Sequence, residues 1–401
     1  MKTADTSGPV MINARTRLKW LLGGAAAATL SGCGGSSSST PAVPISVTPP
    51  VTPSPVQFAP TPGQFRNTFA GKFDVGAAIT TDQIRAGAPE RNVLASQFNS
   101  ITAEFEMKAS SLAPTEGVYD WTRADALVDF AQANDMRVRG HALLWHESTP
   151  DWFLIGTPEQ VKARLQTYIT DVVTRYRGKI YAWDVVNEVI TDDNFADDPY
   201  RRSNWWDASG GNADYIDWAF EAARAADPDC ELFINDYATE QSGKLGRYLE
   251  VITDLKARNV PLDGVGHQFH LNLNTVPADV GRALDSVDAQ FLGLDQHVTE
   301  LDISLYDDPG SCWESGTNCD PDFRGNVPTS ILRRQAQLFR AVYIGCSLRP
   351  SVKSVSTWGV ADGQSWLNTL PITRTNQPLL WDRSIQAKPA LQAVLDPDYV
   401  I

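Results

Sequence analysis

Sulfur and imidazole are both scarce in this chain: 401 residues hold five cysteines, four methionines and five histidines. No Cys/His spacing forms a zinc-ligand set, so no metal site is expected. Of the cysteines, Cys312 and Cys319 flank a short polar loop and can close a disulfide in an oxidising compartment. Cys230 and Cys346 read as buried singles. Positive charge is also in short supply. The 34 Lys and Arg are outnumbered by 48 Asp and Glu, for a net charge of −14. Such a body repels nucleic acid and other polyanions but is compatible with a neutral polymer. No Gly-rich nucleotide fingerprint follows any strand-like run, and no internal repeat is visible.

Long hydrophobic runs are missing as well. The apolar stretch from Trp20 to Leu30 is too short for a stable bilayer-spanning helix. Arg15, Arg17 and Lys19 precede it and Leu30-Ser31-Gly32-Cys33 closes it. Basic region, apolar core and small-residue site in that order describe a signal peptide. Its end resembles a bacterial lipobox, in which the cysteine is lipidated, and Met11 is a plausible start for it. Residues 1–32 are therefore expected to be a lipoprotein signal peptide and Cys33 the lipidation site. Gly34 supplies no acidic retention signal, which in a Gram-negative cell favours the outer membrane or cell surface. Residues 33–62 are rich in Ser, Thr and Pro and bury too little apolar surface to fold, so they read as a tether. Loss of 1–32 removes four bases and one acid, which leaves the remainder still more acidic.

What is abundant from residue 63 onward is alternation. Strand-like runs lie at 73–79, 98–105, 137–145, 181–189, 231–237, 264–270, 297–303 and 354–360. Helical patterns at 123–134, 158–176, 214–226, 243–258, 276–284 and 329–345 separate them. Eight strands alternating with helices predict a (β/α)8 TIM barrel over 63–401, with a doubly wound open sheet as the alternative. Polar residues gather at the ends of the strands: Asn187-Glu188, Asn235-Asp236, Gln268 and His270, Glu300 and Asp302, and Asp362 past the last. In a barrel these ends make one face, where the active site sits.

Glu188 and Glu300 each end an apolar strand, where an unpartnered carboxylate is costly. Two carboxylates on different strands can flank one glycosidic bond. One protonates the leaving oxygen, and the other attacks the anomeric carbon or activates water. Asn187 can hydrogen-bond a sugar 2-hydroxyl. Trp145, Trp152, Trp205, Trp206, Trp358 and Trp366 lie in segments near that face and offer indoles to flat sugar C–H faces.

From about residue 70 to 396 the sequence resembles glycoside hydrolase family 10, the endo-β-1,4-xylanases. Its segments come in the family's order: Phe98-Asn99-Ser100-Ile101-Thr102, Glu104 with Met107-Lys108, Gly140-His141 with Leu144-Trp145-His146, Trp183-Asp184-Val185-Val186-Asn187-Glu188, Asn235-Asp236-Tyr237, Gly266-His267-Gln268 with His270, Thr299-Glu300-Leu301-Asp302, and Trp358-Gly359 with Asp362 and Ser365-Trp366. The resemblance implies a retaining xylanase with Glu188 as acid/base and Glu300 as nucleophile. It implies His270 and Asp302 as the network that keeps Glu300 ionised. It places Glu104, Lys108, His141, Trp145, Asn187, Gln268, Trp358 and Trp366 at the glycone side of the cleft. Xylan or xylo-oligosaccharide is the implied partner, with the membrane as a second through Cys33. No metal or organic cofactor is expected, and a monomer is.

The chain departs from the family where Asn, Trp and Gln usually stand at Phe105, Ala109 and Ser148. A second cysteine after Cys346 is also missing, with Val352 near its place. The first three changes imply a weakened or re-tuned distal glycone subsite, with room left near Ala109 by the missing indole; the alternative is neutral drift, with neighbouring loops refilling the space. The rival expectations are a related hydrolase for another β-linked glycan, a surface glycan-binding lipoprotein without catalysis, and a purely structural lipoprotein.

Overall fold

The computed structural model describes residues 58–193 and 196–400. The expected signal peptide, Cys33 and the tether up to residue 57 lie outside the described residues. Among the described residues there are ten strands: β1 (Asp74–Ile79), β2 (Ser100–Ala103), β3 (Arg137–Gly140), β4 (Leu144–Trp145), β5 (Ile180–Asn187), β6 (Glu231–Asp236), β7 (Gly264–His267), β8 (His270–Asn272), β9 (Asp295–Ser304) and β10 (Val352–Thr357). Every ladder between them is parallel. The path β1-β2-β3-β5-β6-β7-β9-β10 closes when β10 pairs with β1, which makes the eight-stranded barrel expected from the sequence.

Strands β4 and β8 are extra. Each continues a run read as one strand, and each pairs with a single neighbour, β5 and β9 respectively. The breaks fall between them at the His141–Ala142 peptide, which is cis, and at Phe269, which has φ +51°. A left-handed residue cannot continue a strand, and hydrophobic alternation does not register it.

The outer helices form for local reasons that the sequence displays. In Pro158–Arg175, Pro158 occupies the first turn, and Thr157 with Gln160 makes a capping box. Val161, Leu165, Tyr168, Ile169, Val172 and Val173 recur at helical spacing and are buried against the barrel. The helix expected at 276–284 runs on to Gln290 because Val287 is buried too, though acids and Ser286 dilute its pattern. Helices Gln64–Thr68, Arg91–Gln97 and Pro389–Leu395 are too short to show a helical period in the sequence. The first and last of these lie in contact with each other. Phe65 meets Phe98 and Trp381 at ring distances of 5.5 and 5.9 Å. Among the described residues no helix is long and apolar enough to cross a membrane.

The barrel interior is not wholly apolar. Arg139 of β3 and Asp184 of β5 form a buried, two-pronged ion pair. Arg139 also donates to His297 Nδ1 at 3.2 Å. Burial, reinforced by the Arg139 charge, pushes His297 far below its usual range, so it stays a neutral acceptor. Above this layer lies the polar face.

Candidate active site

Glu188 follows directly on β5, in the left-handed region at φ +59°. Side chains with a Cβ avoid that region, and holding one there costs about 1–2 kcal/mol. Two contacts retain it. Its N–H donates to Asn235 O at 2.8 Å, and its carbonyl accepts from Arg201 Nε at 2.8 Å. The side chain then points at two donors: Trp145 Nε1 reaches Oε2 at 2.9 Å, and Gln268 Nε2 reaches Oε1 at 3.2 Å. Burial pushes the Glu188 carboxyl above the ordinary carboxylate range. The Asp236 charge adds to this, and the hydrogen bond from Trp145 only partly offsets it.

Glu300, on β9, sits in the opposite electrostatic setting. Oε1 accepts from Asn235 Nδ2 at 2.8 Å, and Oε2 lies 3.2 Å from His270 Nε2. Burial alone would raise this carboxyl. The hydrogen bond from His270, with the charges of His141 and His270, outweighs burial and holds it below the usual value. His270 can do this because it stays protonated. Burial opposes its charge, but Asp302, 3.0 Å from Nδ1, and Glu300 together lift it to about 10. Asp302 is fixed in turn by Trp366 Nε1 at 2.8 Å. One carboxyl is thus biased toward its protonated form and the other toward its ionised form, the bias that a general acid and a nucleophile require.

Between the two lies Asn235, at the end of β6. Its Nδ2 serves both Glu300 and Asn187 Oδ1 (2.9 Å), while its Oδ1 accepts from Thr299 at 2.7 Å. Gln268 Nε2 also reaches Asn187 Oδ1, at 3.4 Å. Asn187 Nδ2 has no partner among the described residues and is available to a ligand. Neighbouring β7 must carry glycine here, since a Cβ on Gly266 would fall 2.3 Å from Asn235 Oδ1. Asn235 closes the fifth strand-like run, yet nothing in the sequence distinguishes it from a strand-end amide. Its role depends on two other strands.

The remaining expected residues gather around this centre. His141 Nδ1 lies 2.9 Å from Asp184 Oδ2, and its ring stands edge-on to Trp358 at 5.3 Å. Lys108 is buried, with Nζ 4.5 Å from the Trp145 ring centre and 4.9 Å from that of Phe105. Burial pushes Lys108 below the usual lysine range, against the pull of Glu300 and Glu104. Partly buried Glu104 is raised to about 7 by desolvation, and Lys108 moderates the rise.

Three of the six tryptophans expected at the sugar surface behave differently. Trp205 is buried and donates to Thr149 Oγ1 at 2.7 Å. Trp152 donates to Ala113 O at 3.0 Å and stacks on Phe153. Trp206 packs under the Arg202 guanidinium at 3.7 Å. All three are packing residues, whereas Trp145, Trp358 and Trp366 frame the carboxylates. Asp362 is likewise taken up internally, by Lys388 at 3.1 Å and Leu379 N–H at 2.8 Å. Ala109 is buried in the core, so the open space expected beside it is not there. Cys312 and Cys319 form the disulfide, and Cys230 and Cys346 are buried free thiols. The one cluster of metal-type side chains among the described residues, Asp308 with Cys312 and Cys319, therefore has no thiolate to offer.

Residues 64–397 match the family model described as glycosyl hydrolase family 10. The chain belongs to glycosyl hydrolase family 10. Its relatives include endo-1,4-beta-xylanase C of Paenibacillus barcinonensis, 38% identical over 82% of this chain and 31% of that protein. A thermostable celloxylanase of Thermoclostridium stercorarium is also 38% identical, over 82% of this chain and 86% of its own length. The chain thus spans about a third of the first relative and most of the second. In structure it is similar to xylanase B from Clostridium stercorarium F9, with a TM-score of 0.76 and 35% identity over 84% of this chain and all of that one. The family-10 match covers all ten strands, and so every expected site residue except Cys33.

Proposed function

We propose that this family-10 chain is a retaining endo-β-1,4-xylanase, in which Glu188 is the acid/base and Glu300 the nucleophile. The observation that carries the proposal is the opposed setting of the two carboxyls, raised at Glu188 and lowered at Glu300, joined through Gln268, Asn187 and Asn235. Asn187 offers its free amide to the 2-hydroxyl of the sugar being cleaved, a contact that strengthens in the transition state. Glu104, Lys108 and His141 supply polar contacts beside it, and Trp145, Trp358 and Trp366 supply apolar faces. The names of the relatives support xylan as the polymer. The word celloxylanase in one of them makes a β-1,4-glucan the second reading. A reducing-sugar assay on xylan, mixed-linkage glucan and carboxymethylcellulose, with early-time NMR of the product, tests both. Xylan preferred and the β anomer formed first are expected. The α anomer first would reject retention, and activity on glucans alone would reject the substrate.

A bell-shaped pH profile of kcat/KM follows from the two settings. Activity should rise as pH passes the depressed pKa of Glu300, which must be ionised. It should fall as pH passes the elevated pKa of Glu188, which must hold its proton. In Glu188→Gln, assayed on an aryl glycoside with a good leaving group, the alkaline limb should vanish. Its persistence would assign that limb to another group.

The glycone end is proposed to be atypical. Phe105 is 48% exposed beside Lys108, and the Ser148 hydroxyl is occupied by Ser110 at 2.5 Å. An aromatic face therefore replaces side-chain amides there, and neither residue offers a free hydrogen bond of the same reach. The gain in kcat/KM from aryl xyloside to aryl xylobioside should be modest in the wild type and larger in Phe105→Asn/Ser148→Gln. An unchanged ratio would clear these positions of any control.

The N-terminal pattern supports export as a lipoprotein anchored through Cys33; the tether expected over 33–62 is shorter at its C-terminal end, since Phe58 packs against the core and Gln97 Nε2 donates to Thr61 O at 2.9 Å, and the barrel is proposed to act as a monomer. One acyl chain holds a protein to a membrane only marginally, so more than one is expected. Cys33→Ser should move the protein from the membrane to the soluble fraction or leave an uncleaved precursor. Unchanged fractionation would remove the anchor.

A further inference from the structure

Beyond the end of β9, on the same face as Glu300, the chain makes a braced excursion over residues 305–328. Tyr306 stacks on Phe323 at 5.2 Å and donates to Thr375 O at 2.7 Å. Arg374 Nη1 binds Asp308 Oδ1 at 2.9 Å and Asp320 O at 3.0 Å, and the Arg374 and Asp308 side chains are almost wholly buried. Asn272 of β8 holds Asp307 at 2.8 Å. At the centre is the short helix Gly310–Ser315, whose Cys312 is fully buried and bonded to Cys319. These ties fix the excursion in place.

It displays Trp313. This indole follows the buried Cys312 directly, yet it is 42% exposed. Its ring centre lies 5.7 Å from that of Trp366 with a tilt of 39°. Trp366 in turn lies 5.0 Å from His270, which contacts Glu300. An unbroken row of rings therefore leads from the carboxylate to an open aromatic face. The surrounding excursion is acidic, with Asp307, Glu314, Asp320 and Asp322 along it. Anions are disfavoured there, while a neutral ligand rich in hydroxyl donors meets both an apolar face and acceptors.

We infer that Trp313 is a sugar-stacking platform that extends the cleft one subsite beyond Trp366 and seats a further xylosyl ring of the polymer. The inference rests on the xylan reading above. An aromatic contact of this type is worth about 0.5–1.5 kcal/mol, or roughly two- to tenfold in affinity.

The test is calorimetric binding of xylohexaose and xylobiose to the inactive Glu300→Ala protein, alone and combined with Trp313→Ala or Trp313→Tyr. Trp313 is exposed and the disulfide is kept, so the fold is not at stake. Trp313→Ala should weaken xylohexaose about two- to tenfold and leave xylobiose unchanged, and Trp313→Tyr should recover most of the loss. Equal xylohexaose affinity with and without the indole would overturn the platform. Equal weakening of both sugars would also overturn it, by showing that Trp313 acts only through Trp366. If the Trp313-containing parent bound neither sugar, the xylan reading itself would fall.

Discussion

Glu300→Ala should abolish hydrolysis of xylan and of aryl xylosides alike, whatever the leaving group. The nucleophile is needed for the first bond to break, and no activated phenol can replace it. Losing a nucleophile that works as part of a unit costs on the order of 10⁴–10⁶ in kcat. Nothing nearby is placed to take over. The neighbouring buried carboxyls are already engaged: Glu188 is raised and held by Trp145 and Gln268, Asp302 is paired with His270 and bonded to Trp366, Asp184 is paired with Arg139 and His141, and Asp236 with Lys244. The substitution also leaves His270 facing Asp302 alone, so its imidazolium loses one of the two acids that raise it. The measurement is kcat on xylan and on 2,4-dinitrophenyl xylobioside, beside a thermal melt showing that the protein is folded. A folded variant that retained a tenth of the dinitrophenyl activity would remove Glu300 from the nucleophile's role.

Glu188→Ala should divide the same two substrates. Xylan has a sugar alkoxide as leaving group and needs its proton, so its hydrolysis should drop roughly 10²–10⁴-fold. The dinitrophenyl glycoside departs without help, and its first step should survive. The glycosyl-enzyme should then accumulate, because no base remains to activate water. Added azide, which needs no deprotonation, should restore turnover and give a β-glycosyl azide. The site favours this separation. Glu188 is held by Trp145 and Gln268, and Glu300 by Asn235 and His270, so removing one side chain leaves the donors on the other in place. Equal losses on both substrates, with no azide product, would mean that Glu188 does not act as the acid.

These two residues were visible without coordinates because each feature that marks them is local. Glu188 and Glu300 end apolar strands, and the order of short segments around them carries the family. Alternation of strands and helices predicts the barrel because periods of two and 3.6 residues report burial one element at a time. The disulfide was legible for the same reason, since Cys312 and Cys319 are only seven residues apart.

Tertiary structure decided what depends on neighbours distant in sequence. Asn235 is an ordinary amide until β5 and β9 bring Asn187 and Glu300 to it, across separations of 48 and 65 residues. Burial raises both carboxyls; Asp236 near Glu188 adds to that and His270 against Glu300 reverses it, and electrostatic energy depends on distance in space. Composition could not tell Trp205, buried and bonded to Thr149, from Trp366, bonded to Asp302, or single out Trp313 as the exposed tryptophan among the described residues. An indole has the same hydrophobicity in a core and in a cleft, and only the packing around it determines which face remains open to a sugar.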